Sequence, residues 1–322
     1  MSDPDRSRLA SSWHAGEREM QRRAGVDDEL PDLDVRIFRN NLGATQQAFY
    51  ARLSYAVLGS VDKSGSPWAT MIEGDPGFLA AHGVFALDVT MKRDASDPAD
   101  EGLEQGSAIG MIGIDLATRR RLRLNGHIDR WSSGAFRLGI EQSFGNCPKY
   151  IQARAASFVS MTDDRSPVIA EALPALDEHA RALIASSDTF FVASYVDREG
   201  GERQVDVSHR GGLPGFMRVE PDGVLTAPEF PGNTFYNTLG NFLLNPRAGL
   251  WCADFQTGDV LQMTGDVRFG SHGDATFVQA EQYWQFVPRR IVRRRKALRQ
   301  RWTLFEDGWS PNSLDMGTWE II

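Results

Sequence analysis

The chain has 322 residues, 41% of them hydrophobic, and a net charge of −8. The apolar content suffices for two modest cores or one large one. The acidic balance argues against a general nucleic-acid binder, and no run approaches the roughly 20 apolar residues of a membrane helix. Met1–Arg6 lacks the pattern of an export signal, so Cys147 and Cys252 read as reduced thiols of a soluble, cytoplasmic protein rather than a disulfide.

Residues 1–44 are polar and predict an arm, helical or partly disordered, that packs through Trp13 and His14. Short β-rich runs then predict strands over 53–61, 68–72, 84–89, 108–114 and 121–130, the first closed by the turn Asp62-Lys63-Ser64-Gly65. A helix is predicted over 134–155 and a connecting helix near 172–186, where Leu173, Leu176, Ala180 and Leu183 recur at helical spacing. The second half restarts with strands over 189–196, 205–209 and 224–227. A helix over 237–244 follows, stopped by Asn245-Pro246. Strands over 248–255 and 260–269 and a helix within 275–302 complete the expectation.

The two halves also share landmarks. Gly74-Asp-Pro-Gly-Phe78 matches Gly212-Leu-Pro-Gly-Phe216 at an offset of 138, and Asn125-Gly126 matches Thr264-Gly265 at 139. Ala108–Asp115 parallels Ala248–Asp254, starting at 140, and Glu141-Gln142 parallels Glu281-Gln282, also at 140. The reading is a mainly β protein made of two tandem β-barrels with peripheral helices, related by an internal pseudo-two-fold. Its parts are an arm (1–44), repeat 1 (45–160), a helical connector (161–187) and repeat 2 (188–322) with a C-terminal helix and tail. Small closed barrels would leave no free edges, and a ligand would sit in a groove between them.

The run Asp206-Val-Ser-His-Arg-Gly-Gly-Leu-Pro-Gly-Phe216, with Phe230–Asn241 and Asn245-Pro-Arg247, resembles the pyridoxamine 5'-phosphate oxidase-like FMN-binding split-barrel proteins. The chain resembles in particular the tandem two-barrel, flavin-nucleotide-binding branch of that family. Thr118–Gly126 and Glu141–Ile151 are similar to companion stretches of that branch. The resemblance covers about 45–155 and 186–295 and implies split barrels, an FMN cofactor and a flavin site between the barrels. It also implies that Arg121, Gln142 and Ser143 reach the flavin from repeat 1.

Asn237, Thr238 and Asn241 sit at the start of a predicted helix, where free N–H groups and the helix dipole favour a phosphate. Arg210 can add a charge-assisted fork, with Ser208 and Asn233 as neighbours. The same residues also read as helix decoration, with Arg210 paired to Asp206. Arg121 and Arg123 face one side of a strand. His209 and Cys147 have no sequence partner that makes them catalytic, so the catalytic residue stays unassigned and no metal is expected. The basic run Arg289–Arg301, which alone suggests nucleic acid or an anionic membrane, reads as a solvated helix, with a docking patch for a phosphorylated nicotinamide donor as a third reading.

The expectation is an FMN-dependent oxidoreductase, monomer or homodimer, acting on a small-molecule substrate or a nicotinamide donor, with no membrane or nucleic-acid partner. Its rivals are a flavin carrier without a substrate and a split barrel using a deazaflavin or haem. One FMN per chain is expected. The opposite groove carries Asp94, Asp97 and Asp100, and Val260 where the other has Arg121.

Overall fold

Tyr55–Val61 (β1) and Pro67–Glu73 (β2) bury both faces along almost their whole length. Asp62 shapes the hairpin between them: its Oδ1 accepts the Ser64 and Ser66 amides, each at 2.9 Å, and its Oδ2 the Trp68 indole at 3.0 Å. Leu79–His82 (β3), Ala86–Thr90 (β4), Ala108–Asp115 (β5), Arg120–Ser132 (β6) and Ala135–Gly145 (β7) complete a seven-stranded antiparallel sheet in the order β2-β1-β5-β6-β7-β4-β3. The computed structural model describes residues 13–26, 37–132, 134–158, 168–232, 234–270, 275–277 and 280–321.

Arg154–Phe158 (β8) and Ala170–Leu173 (β9) precede a second sheet built like the first. Its strands are Thr189–Asp197 (β10), Arg203–Gly211 (β11), Arg218–Val219 (β12), Leu225–Glu229 (β13), Arg247–Ala253 (β14), Val260–Phe269 (β15) and Gln282–Arg294 (β17). Their order, β11-β10-β14-β15-β17-β13-β12, is that of the first sheet. The helix Ala44–Arg52 (α2, after the arm helix α1, Ala15–Arg23) leads into β1, as Glu178–Ser186 (α3) leads into β10. The protein is therefore mainly β, with antiparallel sheets in two copies of one topology. Among the described residues each ladder is an open path ending on β2 and β3, or β11 and β12, rather than a closed ring. The β2 and β11 edges pack on the other sheet instead, and β3 and β12 lie beside α2 and α3.

Register fixes the correspondence. Gly110 pairs with Asn125 as Gly249 pairs with Thr264, and the ladder slips at Asn125/Gly126 as it does at Thr264/Gly265. The Glu141-Gln142 and Glu281-Gln282 match does not survive. Leu138 and Phe286 hold equivalent places, 148 residues apart, because the chain before β17 is longer than the chain before β7.

Both long C-terminal helices predicted within a repeat are strands. In β7, Phe136, Leu138 and Ile140 are buried while their neighbours are half-exposed, a period of two that no helix face produces. In β17, Trp284 and Phe286 alternate in the same way, and Pro288 could not sit in a helix interior. Residues 300–304 form β18, paired with β8, ahead of a short helix, Pro311–Met316 (α5). Ala275–Thr276 (β16) pairs with Glu320–Ile321 (β19). The predicted connecting helix is shorter than expected, since Leu173 belongs to β9, which pairs with β17.

The basic run is accordingly not a solvated helix. Arg293 and Arg294 are buried, Arg293 on Glu171 and Asp177, Arg294 on Asp94 and Asp97.

Each sheet encloses its own apolar core, and a third core lies between them. There Val57, Met71 and Ile112 of repeat 1 meet Phe191, Val207 and Trp251 of repeat 2. Each large side chain so buried contributes about 1.5–3 kcal/mol. Two equivalent glycines make the close approach possible. A Cβ on Gly110 would lie 2.7 Å from the Val205 carbonyl oxygen, and one on Gly249 only 2.4 Å from that of Pro67. Two grooves flank this contact.

Candidate functional site

The β6 alternation brings Arg121 and Arg123 to one side, facing β11 of the other sheet. Arg123 donates to Ser208 Oγ and, at 3.2 Å, to Asn237 Oδ1. Ser208 Oγ also accepts from Thr238 Oγ1 at 2.8 Å. Arg121 donates to the Cys147 carbonyl and to His209 Nδ1 at 3.3 Å. Because a guanidinium only donates, His209 must accept at Nδ1 and carry its proton on Nε2. Burial, then the surrounding arginines, hold its pKa well below the usual histidine range, so the ring is a neutral donor.

The third arginine, Arg210, pairs with Glu229 at 3.2 Å rather than with Asp206. Burial raises the Glu229 carboxyl above its ordinary range although Arg210 opposes the shift. Asp206 lies deeper, accepting from Asn125 Nδ2 at 2.7 Å and Asn241 Nδ2 at 3.0 Å.

These groups surround the start of the helix Asn237–Leu244 (α4), at the place predicted for it. Its N-cap residue, Tyr236, makes no side-chain cap and enters it at φ +56°, two residues after Thr234 at φ +60°. Left-handed backbone at two such residues is uncommon and marks a constrained approach. Tyr150, Phe216 and Phe230 add aromatic walls to the cleft. The cavity volume is about 90 Å³.

The electrostatics ask for an anion. Burial and neighbouring arginines pull the Arg121 pKa down to about 9. Burial pulls that of Arg123 to about 10, against the pull of Asp206. Guanidinium groups stay charged in proteins, so these shifts record a cost that a bound anion would relieve. Arg121 Nε, Arg123 Nε, Arg210 Nε and His209 Nε2 are all buried without a hydrogen-bond partner, and all four residues line the cleft. The floor has room for a phosphate group, since a water needs only about 10–15 Å³. This donor set therefore fits the phosphate end of FMN.

Of the residues singled out by sequence, Arg121, Arg210, Asn237 and Thr238 line the cleft, and Ser208 supports it through Arg123. Asn241 lies one turn further along α4, bonded to His14, Ser194 and Asp206. Gln142 and Ser143 are not brought to the cleft. Gln142 accepts from Asn125 and Gln204, while Ser143 accepts from Gln46 at 3.3 Å. Asn233 lies outside the described residues. Sequence reasoning missed Glu229, which no local pattern signals, and Glu17 of the arm, for which the capping-box spacing was the available clue; it named His14 only as a packing residue.

The second groove is lined by Met71, Ile72, Val260, Trp251 and the carboxylates Asp94, Asp97 and Asp100. Asp97 is already saturated, by Thr70, by Gln262 and Arg294, each at 2.8 Å, and by the Ala99 amide at 2.9 Å.

No family model matches the chain, and no curated protein matches it. Among solved structures it is similar to the Bacillus subtilis inhibitor of motility (MotI/DgrA). That match has 7% identity over 75% of this chain and 87% of the other, with a TM-score of 0.22. It is also similar to K. pneumonia MrkH in its complex with c-di-GMP, at 10% identity over 76% and 79% of the two chains and a TM-score of 0.21. Likeness at that level carries no argument about this chain. Among the described residues, no helix is long and apolar enough to cross a membrane.

Proposed function

We propose that the chain binds FMN in the arginine-lined cleft and acts as an FMN-dependent oxidoreductase on a small molecule, with a nicotinamide donor supplying electrons. The observation that carries the reading is the set of four buried, unpartnered N–H groups on Arg121, Arg123, Arg210 and His209 beside the start of α4. Four such donors beside a helix N-terminus suit a ligand with a phosphate at one end, and Glu229 Oε2 and Asn146 Oδ1, also buried and unpartnered at the cleft, can accept from the rest of it. Arg121, Arg123 and Arg210, with the backbone N–H groups of Asn237 and Thr238, would hold the phosphate, and Ser208 would support Arg123. FMN, when bound, supplies hydride transfer. The chain's own groups bind and orient it, and His209 contributes a neutral N–H rather than a base.

Haem fits less well. Haem iron would need an unprotonated, unshared nitrogen on His209, whereas Nδ1 accepts from Arg121 and Nε2 carries the proton. A flavin carrier without a substrate remains the second reading, favoured by the absence of an assigned catalytic residue. The absorbance spectrum of the purified protein tests the cofactor, since oxidised flavin, deazaflavin and haem absorb differently. Oxidation of NADH or NADPH with an added acceptor then separates enzyme from carrier. A protein that neither carries nor takes up FMN would refute the proposal.

A further inference from the structure

We propose that the N-terminal helix is a working part of the cleft, in which Glu17 and His14 are positioning residues: they set the amide orientation of Asn237 and Asn241, and Glu17, through Asn237, sets the aim of Arg123. The inference rests on reading the cleft as an anion site.

A capping box starts α1. His14 Nδ1 accepts the Gly16 amide at 3.1 Å, and Glu17 Oε2 accepts the His14 amide at 2.9 Å. The rest of both side chains is spent on α4. Asn237 Nδ2 donates to Glu17 Oε1, which leaves Asn237 Oδ1 to accept from Arg123. A flipped amide would turn its NH2 group on the guanidinium, donor against donor. One turn on, His14 Nε2 must donate to Asn241 Oδ1 at 2.8 Å because Nδ1 is already an acceptor. Asn241 Nδ2 is then committed to Ser194 at 2.9 Å and Asp206 at 3.0 Å. Two arm residues thus fix two asparagines, and one of those asparagines fixes a cleft arginine.

The docking is built for this contact. A Cβ on Gly16 would lie 2.1 Å from the Gly240 carbonyl oxygen, and one on Gly240 2.6 Å from the Glu17 nitrogen. The two helices therefore cross backbone to backbone, and a side chain on either glycine would separate them. Glu17 is 1% exposed and His14 8%. Burying a carboxyl is costly unless its hydrogen bonds are made. A helix that merely covered a core would present apolar side chains there. At the equivalent place in the other groove, Asp97 caps its own 3-10 turn (Pro98–Gly102), and no arm residue is needed.

The test uses the full chain and two probes, inorganic phosphate and FMN, titrated by calorimetry. The variants are Glu17→Met, Glu17→Gln, Arg123→Ala and the Glu17→Met/Arg123→Ala double. Methionine keeps the buried volume without an oxygen for Asn237, and is expected to weaken phosphate binding about tenfold. Glutamine keeps one oxygen and should bind within about threefold of the parent. The double variant should be no weaker than Arg123→Ala alone, because both act through one guanidinium. Glu17→Ala, which admits water, carries the same expectation should Glu17→Met not melt cooperatively. Binding as tight as the parent in Glu17→Met, or a double variant weakened by the product of the two single losses, overturns the positioning role. A parent that binds phosphate but not FMN overturns the FMN reading while the clamp is judged on phosphate. A parent that binds neither removes both.

Discussion

Where one groove has Arg121 and Arg123, the other has Val260 and Gln262, and where one has His209 and Arg210, the other has Met71 and Ile72. At the helix start, Asn237 stands opposite Asp97 across the duplication. The strand ladders are the same and the cross-sheet contact is the same, so the difference is one of side-chain chemistry. Space is not what the second groove lacks, since its enclosed volume is about 220 Å³ against about 90 Å³. What sets it apart is an anion of its own. Asp97 occupies the place an anion would take, and Arg294, Gln262 and Thr70 are committed to it. A duplicated fold can thus keep one groove as a binding site and convert the other to structure by supplying the anion from its own chain.

The comparison breaks first, and with the largest effect, at Arg294. If the second groove is structural, Arg294→Ala should destabilise the fold by about 3 kcal/mol, because it strands the buried Asp97 carboxylate. Denaturant melts read this directly, and a loss within error of zero would mean the acidic groove is not held by this pair. FMN affinity should not follow.

In the first groove the counterpart is Arg123→Ala, expected to weaken FMN by about 2–3 kcal/mol, the scale of hydrogen bonds to a charged group. Arg210→Ala should cost less, because Arg210 is already paired with Glu229. Equal affinity in both variants and the parent would remove the cradle.

A third difference is in pH response, since α1 packs on the helix that opens the first groove. Burial, then Asp206, pushes the Glu17 pKa up to about 8, so its contribution is full below the unfolded value of 4.5 and is lost as pH rises through 8. Burial lowers His14 from 6.5 to about 4, so its contribution is full above 6.5 and is lost as pH falls. The two oppose each other between 4.5 and 6.5. Arm docking should therefore weaken between about pH 6.5 and 8, by about 2 kcal/mol at 1.36 kcal/mol per pH unit. Hydrogen exchange of α1 amides over that range measures it. Glu17→Gln should flatten the decline, and an unchanged slope would show that another group titrates.

The smallest effect is expected at Gln142. It faces Asn125 and Gln204 rather than the cleft, so Gln142→Ala should change FMN affinity by less than about 0.5 kcal/mol. A larger loss would revive the contact that the family resemblance implied.

Much of this contrast was legible in the sequence. The Gly-x-Pro-Gly-Phe and Asn-Gly/Thr-Gly landmarks sit on turns and bulges, which tie backbone geometry to particular residues, so they survive duplication. Helix α4 was legible because Asn245-Pro246 stops it. β7 and β17 were not, because their charged residues mask a two-residue alternation, and the Glu-Gln match across them was a coincidence of local sequence. Arg294 could not be paired by reading along the chain, since Asp97 is 197 residues away. Glu17 was illegible for the same reason, its partner Asn237 being 220 residues distant.

The central claim is that duplication left one anion-binding cleft and one groove closed by its own carboxylates. Calorimetric titration of FMN into the parent chain and into Arg123→Ala tests it most directly. The account predicts one FMN per chain in the parent, with affinity falling about 100-fold in the variant. Two FMN per chain, or a single site indifferent to Arg123, would contradict it.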